Sequence, residues 1–521
     1  MIKTDKLTIT TLKGRCLIEN FSFVLNDGDK LAVIGEEGNG KSTLLKAIYS
    51  RELVENYCKI EGNILNNNER VGYLEQKLNQ QWNECQVVEY FLKDNINAEI
   101  DYDLYNQLPF IERVLKKYNF DVNYLHNGMK IGNLSGGEKV KLQLAKLEVG
   151  NYDVYFLDEP TNDLDIDTLK LLESFIISTT KPIMFISHDE MLLVNVANRI
   201  LHIEQLIKKT KPKYTLEKCS YEVYIKNRKR QIEHQTQMAY SQRREKEKKE
   251  EILRQIKQKV ENALVSAKKD PSSGRIIAKK MANIKAQERK NENEEMIEIP
   301  EVEESIKLIV DKSITVPTRR KVLEMKIPKL VAGSKILAKD IDLTVVGPER
   351  VAIIGNNGCG KSTLLKQIVN KIQNSDGLKV GYFSQNYYEM LDYSNTAIDE
   401  LQGINKELNP RTLLGSLKFT REEMTHKVND LSEGQKAKLL LMKLIIDKNN
   451  VLVLDEPTRN LSPLSNPVVR QLLNEYNGTI ITVSHDRMFI KEICDKIYKM
   501  DTNGLHLVPV SEILDDSVNE K

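Results

Sequence analysis

GEEGNGKST, residues 35–43, follows the apolar run KLAVI at Lys30–Ile34, and GNNGCGKST, residues 355–363, recurs past the middle of the chain. Each loop fits the pattern Gly-x4-Gly-Lys-Ser. Its glycines let backbone N–H groups curl around phosphate oxygens, and the helix beginning at the lysine adds its positive end. Lys41 and Lys361 are placed to reach the β- and γ-phosphates of a nucleotide, and Ser42 and Ser362 to ligate Mg²⁺. Gly35, Gly38, Gly40 and Thr43 complete the first cradle. Gly355, Gly358, Gly360 and Thr363 complete the second. One such loop alone is compatible with an ordinary strand–turn–helix junction, so the rest of the chain decides.

The rest repeats. LSGGE at Leu134–Glu138 pairs with LSEGQ at Leu431–Gln435, FLDEPTNDLD from Phe156 with VLDEPTRNLS from Val453, and ISHDE from Ile186 with VSHDR from Val483. Ser135 and Ser432, Asp158 and Asp455, His188 and His485 are each separated by 297 positions. Chance matches would not hold register across three motifs, so the chain is a duplication. The loop lysines lie 320 positions apart, so the first copy holds 23 extra residues between lysine and serine. VYFLD and VLVLD are continuous apolar runs ending in Asp, as parallel strands covered on both faces require. Ligands bind at the carboxyl ends of such strands. Asp158 and Asp455 end these strands and would orient Mg²⁺ through its water shell. Glu159 and Glu456 follow, placed to polarise an attacking water.

The chain has 521 residues, a formal net charge of +2 and 29% charged residues. That size suits about three average domains or two larger ones. The charge balance gives no global nucleic-acid signature, so local distribution matters more. No apolar run approaches the roughly 20 residues of a membrane-spanning helix, and MIKTDKLTIT lacks a signal-peptide core. Six cysteines are scattered singly without a CxxC pair. Neither a zinc cluster nor a disulfide framework is expected, and the expected compartment is a reducing cytoplasm.

Between the copies the composition changes. From residue 226 to 290 there are 20 Lys and Arg against 8 Asp and Glu. Leu253, Ile256, Val260 and Leu264 recur at helical spacing, and Ile277, Met281 and Ile284 repeat it after the turn DPSSG at Asp270–Gly274. The spacing predicts two helices folded back on each other. A first helix from about Tyr221 to Ala263 would be on the order of 60 Å long. The fold class expected is α/β: two P-loop ATPase domains in tandem, joined by a long α-helical hairpin. The expected boundaries are 1–207 for the first domain (a small insertion at about 85–128), 208–304 for the linker (tip at about 264–275) and 305–521 for the second domain.

The order of glycine loop, glutamine, LSGGE, LDEPT and SHD resembles the ATP-binding cassette ATPases over about four-fifths of the chain. The resemblance implies that two cassettes close head to tail over two ATP molecules, each loop facing the other cassette's signature. Ser135, Gly136 and Gly137 would then contact the ATP held by Lys361, and Ser432 and Gly434 the ATP held by Lys41. Gln76 and Gln385 match the glutamines that sense Mg²⁺ and the γ-phosphate, and His188 and His485 match the switch histidines. Two departures make the sites unequal: Glu433 replaces the first signature glycine, and Ser462 stands where Asp165 stands in the first copy. Neither cassette has an upstream aromatic to stack on adenine, a role left to Leu12 or Leu330.

Two cassettes joined by a basic helical hairpin resemble the ABC-F subfamily. That resemblance implies a monomer that pairs its own cassettes and binds the ribosomal exit site. Its linker would point toward P-site tRNA and the peptidyl transferase centre of 23S rRNA. The stretch EPTRNLSPLS at Glu456–Ser465 looks like bacterial antibiotic-resistance members. Lys226, Arg228, Lys229, Arg230, Arg243, Arg244, Lys246, Lys248 and Lys249 form a cationic stripe that gains affinity by releasing counterions from a phosphate backbone, and Tyr240 is placed to stack on a base. The other readings are a housekeeping translation factor with the same motifs, a transporter ATPase with a separate membrane partner, and a DNA-repair ATPase. A transporter subunit would not need the basic hairpin. Repair ATPases carry their helices inside a cassette rather than between two.

Overall fold

The computed structural model describes residues 2–66, 68–161, 164–206, 211–266, 279–287, 289, 316–333, 335–386, 390–405, 408–417, 419–459 and 461–511. Contacts divide it into two units, one of Met1–Tyr221 with Glu303–Lys521 and one of Glu222–Val302.

Within the first unit the duplicated sequence folds twice into the same six-stranded sheet. In the first copy the strands run in the order Val71–Leu74, Val154–Asp158, Ile183–Ile186, Lys30–Ile34, Arg199–Gln205 and Lys211–Glu217. The second copy orders Val380–Phe383, Val451–Asp455, Thr479–Val483, Arg350–Gly355, Lys496–Asp501 and Gly504–Val508 in the same way. Five strands of each sheet are parallel and the last is antiparallel. The central strands KLAVI, VYFLD and VLVLD are buried along their whole length, the consequence of helices on both faces. The register sets Val33 and Asp158 both against Ile186. Three strand ends therefore finish at one level, where the glycine loop, the carboxylates and the histidine emerge.

Each copy adds an antiparallel sheet: Cys16–Leu25, Ile2–Thr11 and Cys58–Asn66 in the first, Lys321–Ala332 and Lys335–Val346 in the second. The stretch expected to be inserted at about 85–128 holds the helices Val87–Leu92, Leu108–Lys117 and Asn123–His126. Ile166, from the first copy, packs into the buried apolar cluster of the second.

The second unit contains most of one helix, Tyr221–Ser266, 46 residues long, or about 70 Å at 1.5 Å per residue. Residues 279–287 are also helical. Ile256 on the long helix stands 43% exposed, so the apolar stripe read from spacing is not covered there. Of the expected tip, positions 267–275 lie outside the described residues. Among the described residues no helix is long and apolar enough to cross a membrane.

Candidate active sites

The two glycine loops have the same backbone. Gly35, Gly38 and Gly40 have φ of 149°, 74° and 91°, and Gly355, Gly358 and Gly360 have 150°, 79° and 106°. A Cβ on Gly35 would sit 2.3 Å from Ile203 O, and one on Gly355 2.4 Å from Met500 O. Glycine is thus demanded there both by φ and by the neighbouring strand. The helices Lys41–Tyr49 and Lys361–Gln373 begin at the loop lysines. Each ammonium is folded back on its own loop. Lys41 Nζ donates to Gly35 O at 2.8 Å and Glu36 O at 3.0 Å, and Lys361 Nζ to Gly355 O at 2.7 Å and Asn356 O at 3.1 Å. Burial lowers the pKa of Lys41, while Glu159 opposes that shift.

At the first site Ser42 Oγ donates to Asp158 Oδ1 at 2.8 Å, and Tyr73 OH to Asp158 Oδ2 at 3.3 Å. Burial raises the Asp158 carboxyl against the Ser42 hydrogen bond. Glu159 follows with φ of 50°, and Glu456 has 53° in the second copy. Left-handed backbone is uncommon outside glycine, and its recurrence at both positions marks a carboxylate held by its surroundings. Gln76 Nε2 donates to Glu159 Oε2 at 2.8 Å. His188 Nε2 lies 3.2 Å from Glu159 Oε1, and His188 Nδ1 lies 2.8 Å from Leu461 O of the other cassette. A carbonyl only accepts, so Nδ1 carries a proton.

The second site is arranged alike but is less filled. Ser362 hydrogen-bonds Asp455, whose carboxyl burial raises. His485 N donates to Glu456 Oε2 at 3.3 Å, while His485 Nε2 stays 3.7 Å from Glu456 Oε1. Asp455 Oδ1, Glu456 Oε1 and His485 Nδ1 are buried without a hydrogen-bond partner. Burial raises the Glu456 carboxyl to about 7 against the pull of Lys361, and lowers the His485 imidazole to about 3. A cavity of about 510 Å³ opens here, lined by Gly358, Gly360, Lys361, Ser362, Thr363, Gln385, Asp455, Glu456 and His485 from one cassette and Thr161, His188 and Asp189 from the other. Orphaned acceptors facing a cavity with a buried ammonium fit a polyphosphate with a hard cation.

The signatures are N-caps. Ser135 Oγ accepts from Glu138 N at 3.3 Å and Ser432 Oγ from Gln435 N at 3.3 Å, each closing a capping box. Gly434 N donates to Glu37 Oε2 at 3.4 Å, so the first loop and the second signature meet directly. Ser135 and Gly136 are exposed and Gly137 is buried, and none of the three lines the cavity at Lys361. Glu433 opens its helix with Lys436 Nζ 3.4 Å away, which balances the departing carboxylate. Asp165 accepts from Thr168 N at 2.9 Å and faces Lys141 at 3.8 Å, whereas Ser462 donates to Ser465 at 3.0 Å and Lys438 takes Ser465 at 2.8 Å.

Leu330 does not serve as a base platform. It is 0% exposed, in the core, and Ala332 and Leu337 line the cavity instead. A register shift between Leu330 and Val331 turns the end of that strand. Leu12 is 69% exposed. Sequence reading also passed over Glu37 and Tyr73. Glu37 was visible as the acidic counterpart of Asn357 in the second loop, while nothing in the motif pattern marks Tyr73.

The family model described as ABC transporter matches residues 18–162 and 338–459. A Bacillus subtilis protein named ribosome protection protein VmlR is 27% identical over 95% of this chain and 86% of its own length. The ATP-binding protein Uup of Buchnera aphidicola is 28% identical over 94% of this chain and 78% of its own. ABC transporter F family member 2 of Arabidopsis thaliana is 28% identical over 95% and 75%. Among solved structures, the archaeal ribosome recycling factor aABCE1, in complex with the ribosomal stalk protein aP1, shares the fold with a TM-score of 0.58 at 17% identity, over 95% of this chain and 89% of that one. With both nucleotide loops, both carboxylate pairs and both signatures in place, the chain belongs to the ABC transporter family and is an ABC-F-like ATP hydrolase.

Proposed function

We propose that the two cassettes close over two ATP molecules and that the closed pair engages the ribosomal exit site through the basic segment between them. One observation carries this reading. A 46-residue helix with exposed Lys226, Lys229, Arg230, Arg243, Arg244, Lys248 and Lys249 interrupts a chain whose two ends each hold a loop lysine, a carboxylate pair and a histidine. Such a helix suits a phosphate backbone. The names of the Bacillus relative and of the archaeal structural neighbour point to the ribosome as well.

In this reading Lys41 and Lys361 exchange loop carbonyls for phosphate oxygens. Ser42, Asp158 and Gln76 would hold Mg²⁺ at the first site, and Ser362, Asp455 and Gln385 at the second. Mg²⁺ when bound neutralises charge on the phosphates and orients them. Each protein set offers one hydroxyl, one carboxylate and one amide oxygen, the hard donors that such a cation prefers. Glu159 and Glu456 accept the proton of the attacking water, aimed by His188 and His485. Ser135, Gly136, Gly137, Ser432 and Gly434 complete the opposite sites through backbone N–H groups at helix starts. The division is 1–207, 208–304 and 305–521, and the protein acts as a cytoplasmic monomer.

The linker reaches toward P-site tRNA and 23S rRNA at the peptidyl transferase centre and displaces lincosamide, pleuromutilin or streptogramin A drugs. Hydrolysis releases the protein. Co-sedimentation of the Glu159→Gln, Glu456→Gln protein with ribosomes in ATP is the test; its absence refutes the reading. A second reading is a housekeeping ABC-F translation factor, since the identity to the relative named for ribosome protection, 27%, does not exceed the 28% to a relative named only as ATP-binding. Expression in a susceptible host separates them: resistance raises the inhibitory concentration of those drugs, and housekeeping leaves it unchanged.

A further inference from the structure

Two buried ion pairs join the cassettes apart from the loop lysines. Arg470 donates through Nη1 and Nη2 to Glu190 Oε1 and Oε2 at 2.8 and 3.0 Å. Arg487 Nη2 donates to Glu173 Oε1 at 2.5 Å and Asp189 Oδ1 at 3.3 Å. Arg470 and Glu190 are 4% and 7% exposed, and Arg487 and Glu173 are 2% and 10% exposed. Arg470 stands 297 positions after Glu173, and Arg487 stands 297 after Glu190. That is the offset of the motif serines, aspartates and histidines. The four residues are therefore two equivalent positions, each used once per cassette. Both first-cassette copies are glutamates, and both second-cassette copies are arginines. Their neighbours follow the same code. Asn195 Nδ2 donates to Glu173 at 3.4 Å, while its counterpart Glu492 accepts from Arg470 Nε at 2.7 Å.

We infer that this interface is a charge-coded lock: it admits a first cassette against a second and rejects either cassette against another copy of itself. Two first cassettes in the same geometry would bury Glu173 against Glu190 twice. Two second cassettes would bury Arg470 against Arg487 twice. Buried like charges are strongly unfavourable, even though Arg470 would keep Glu492 of its own cassette, whereas a carboxylate meets a guanidinium fork in a bidentate fit. Buried ion pairs add little strength over an apolar contact, so their use here is selection of partner. The partner selected is the opposite cassette, and the covalent linker makes the one in the same chain win by effective concentration. The inference does not depend on what the linker binds.

Charge reversal in the full-length chain tests it. Glu173→Arg with Glu190→Arg, and separately Arg470→Glu with Arg487→Glu, should each lower ATPase turnover at saturating ATP by roughly tenfold or more. The quadruple reversal should regain turnover to within about threefold of the parent. An equimolar mixture of the two double variants should regain activity as a dimer, because the first cassette of each then matches the second cassette of the other. Double variants as active as the parent, or a folded quadruple variant as inactive as the doubles, would overturn the lock. If a double variant melts below assay temperature, Glu173→Gln, Arg487→Gln and their combination form a cycle in which additive losses would also refute it.

Discussion

Glu456 sits behind the strand Val451–Asp455 with Oε1 unpartnered and its carboxyl pushed up to about 7 by burial. Its folded value lies above the unfolded one of 4.5, so its contribution to stability falls as pH rises from about 4.5 to about 7 and is flat beyond. Glu456→Gln removes that penalty. Without nucleotide, the variant should melt higher than the parent at pH 8, by up to roughly 3 kcal/mol, and equally at pH 4.5. A melting difference independent of pH would contradict the assigned burial. Glu37 is the other informative carboxylate. It accepts from Gly434 N at 3.4 Å, where an anionic phosphate is proposed to bind, and burial raises its pKa. Glu37→Asn keeps an acceptor and removes the charge. In a Lys361→Ala background, calorimetric titration should show ATP binding to the first site about tenfold tighter.

The helix Tyr221–Ser266 follows from its composition: unbranched Lys, Arg, Glu and Gln favour helix, and the described span has no glycine or proline. Its proposed partner is read through charge. Replacing Arg243, Arg244, Lys248 and Lys249 with Gln should weaken ribosome binding and flatten the log–log salt dependence by roughly 3 units, since each released counterion contributes a fraction of one. An unchanged slope would mean these cations do not face phosphate. At this scale the sequence was legible where spacing repeats: both P-loop helices, the buried strands ending in Asp158 and Asp455, and most of the long helix. Leu330 was misread because a register shift beside it changes which residue reaches the cavity, and apolar pattern alone does not mark such a shift. Glu190 and Arg487 end the paired stretches ISHDE and VSHDR, whereas Glu173 and Arg470 belong to no motif that would single them out. Only the duplication offset makes the four comparable, and only folding makes them meet.

Across the whole chain the two nucleotide sites are unequal. At the first, Glu37 meets Gly434 of the other cassette, while the second holds a cavity, lined in part by His188, and orphaned acceptors. Both lie between cassettes, so nucleotide, cassette closure and any partner that prefers the closed pair are thermodynamically linked. The most direct test is the dissociation constant for ribosomes of the Glu159→Gln, Glu456→Gln protein, measured with ATP and without nucleotide. The account predicts at least roughly tenfold tighter binding with ATP, and ATP bound tighter by the same factor on ribosomes. Equal ribosome affinity in both states, in a protein that still binds ATP, would contradict it.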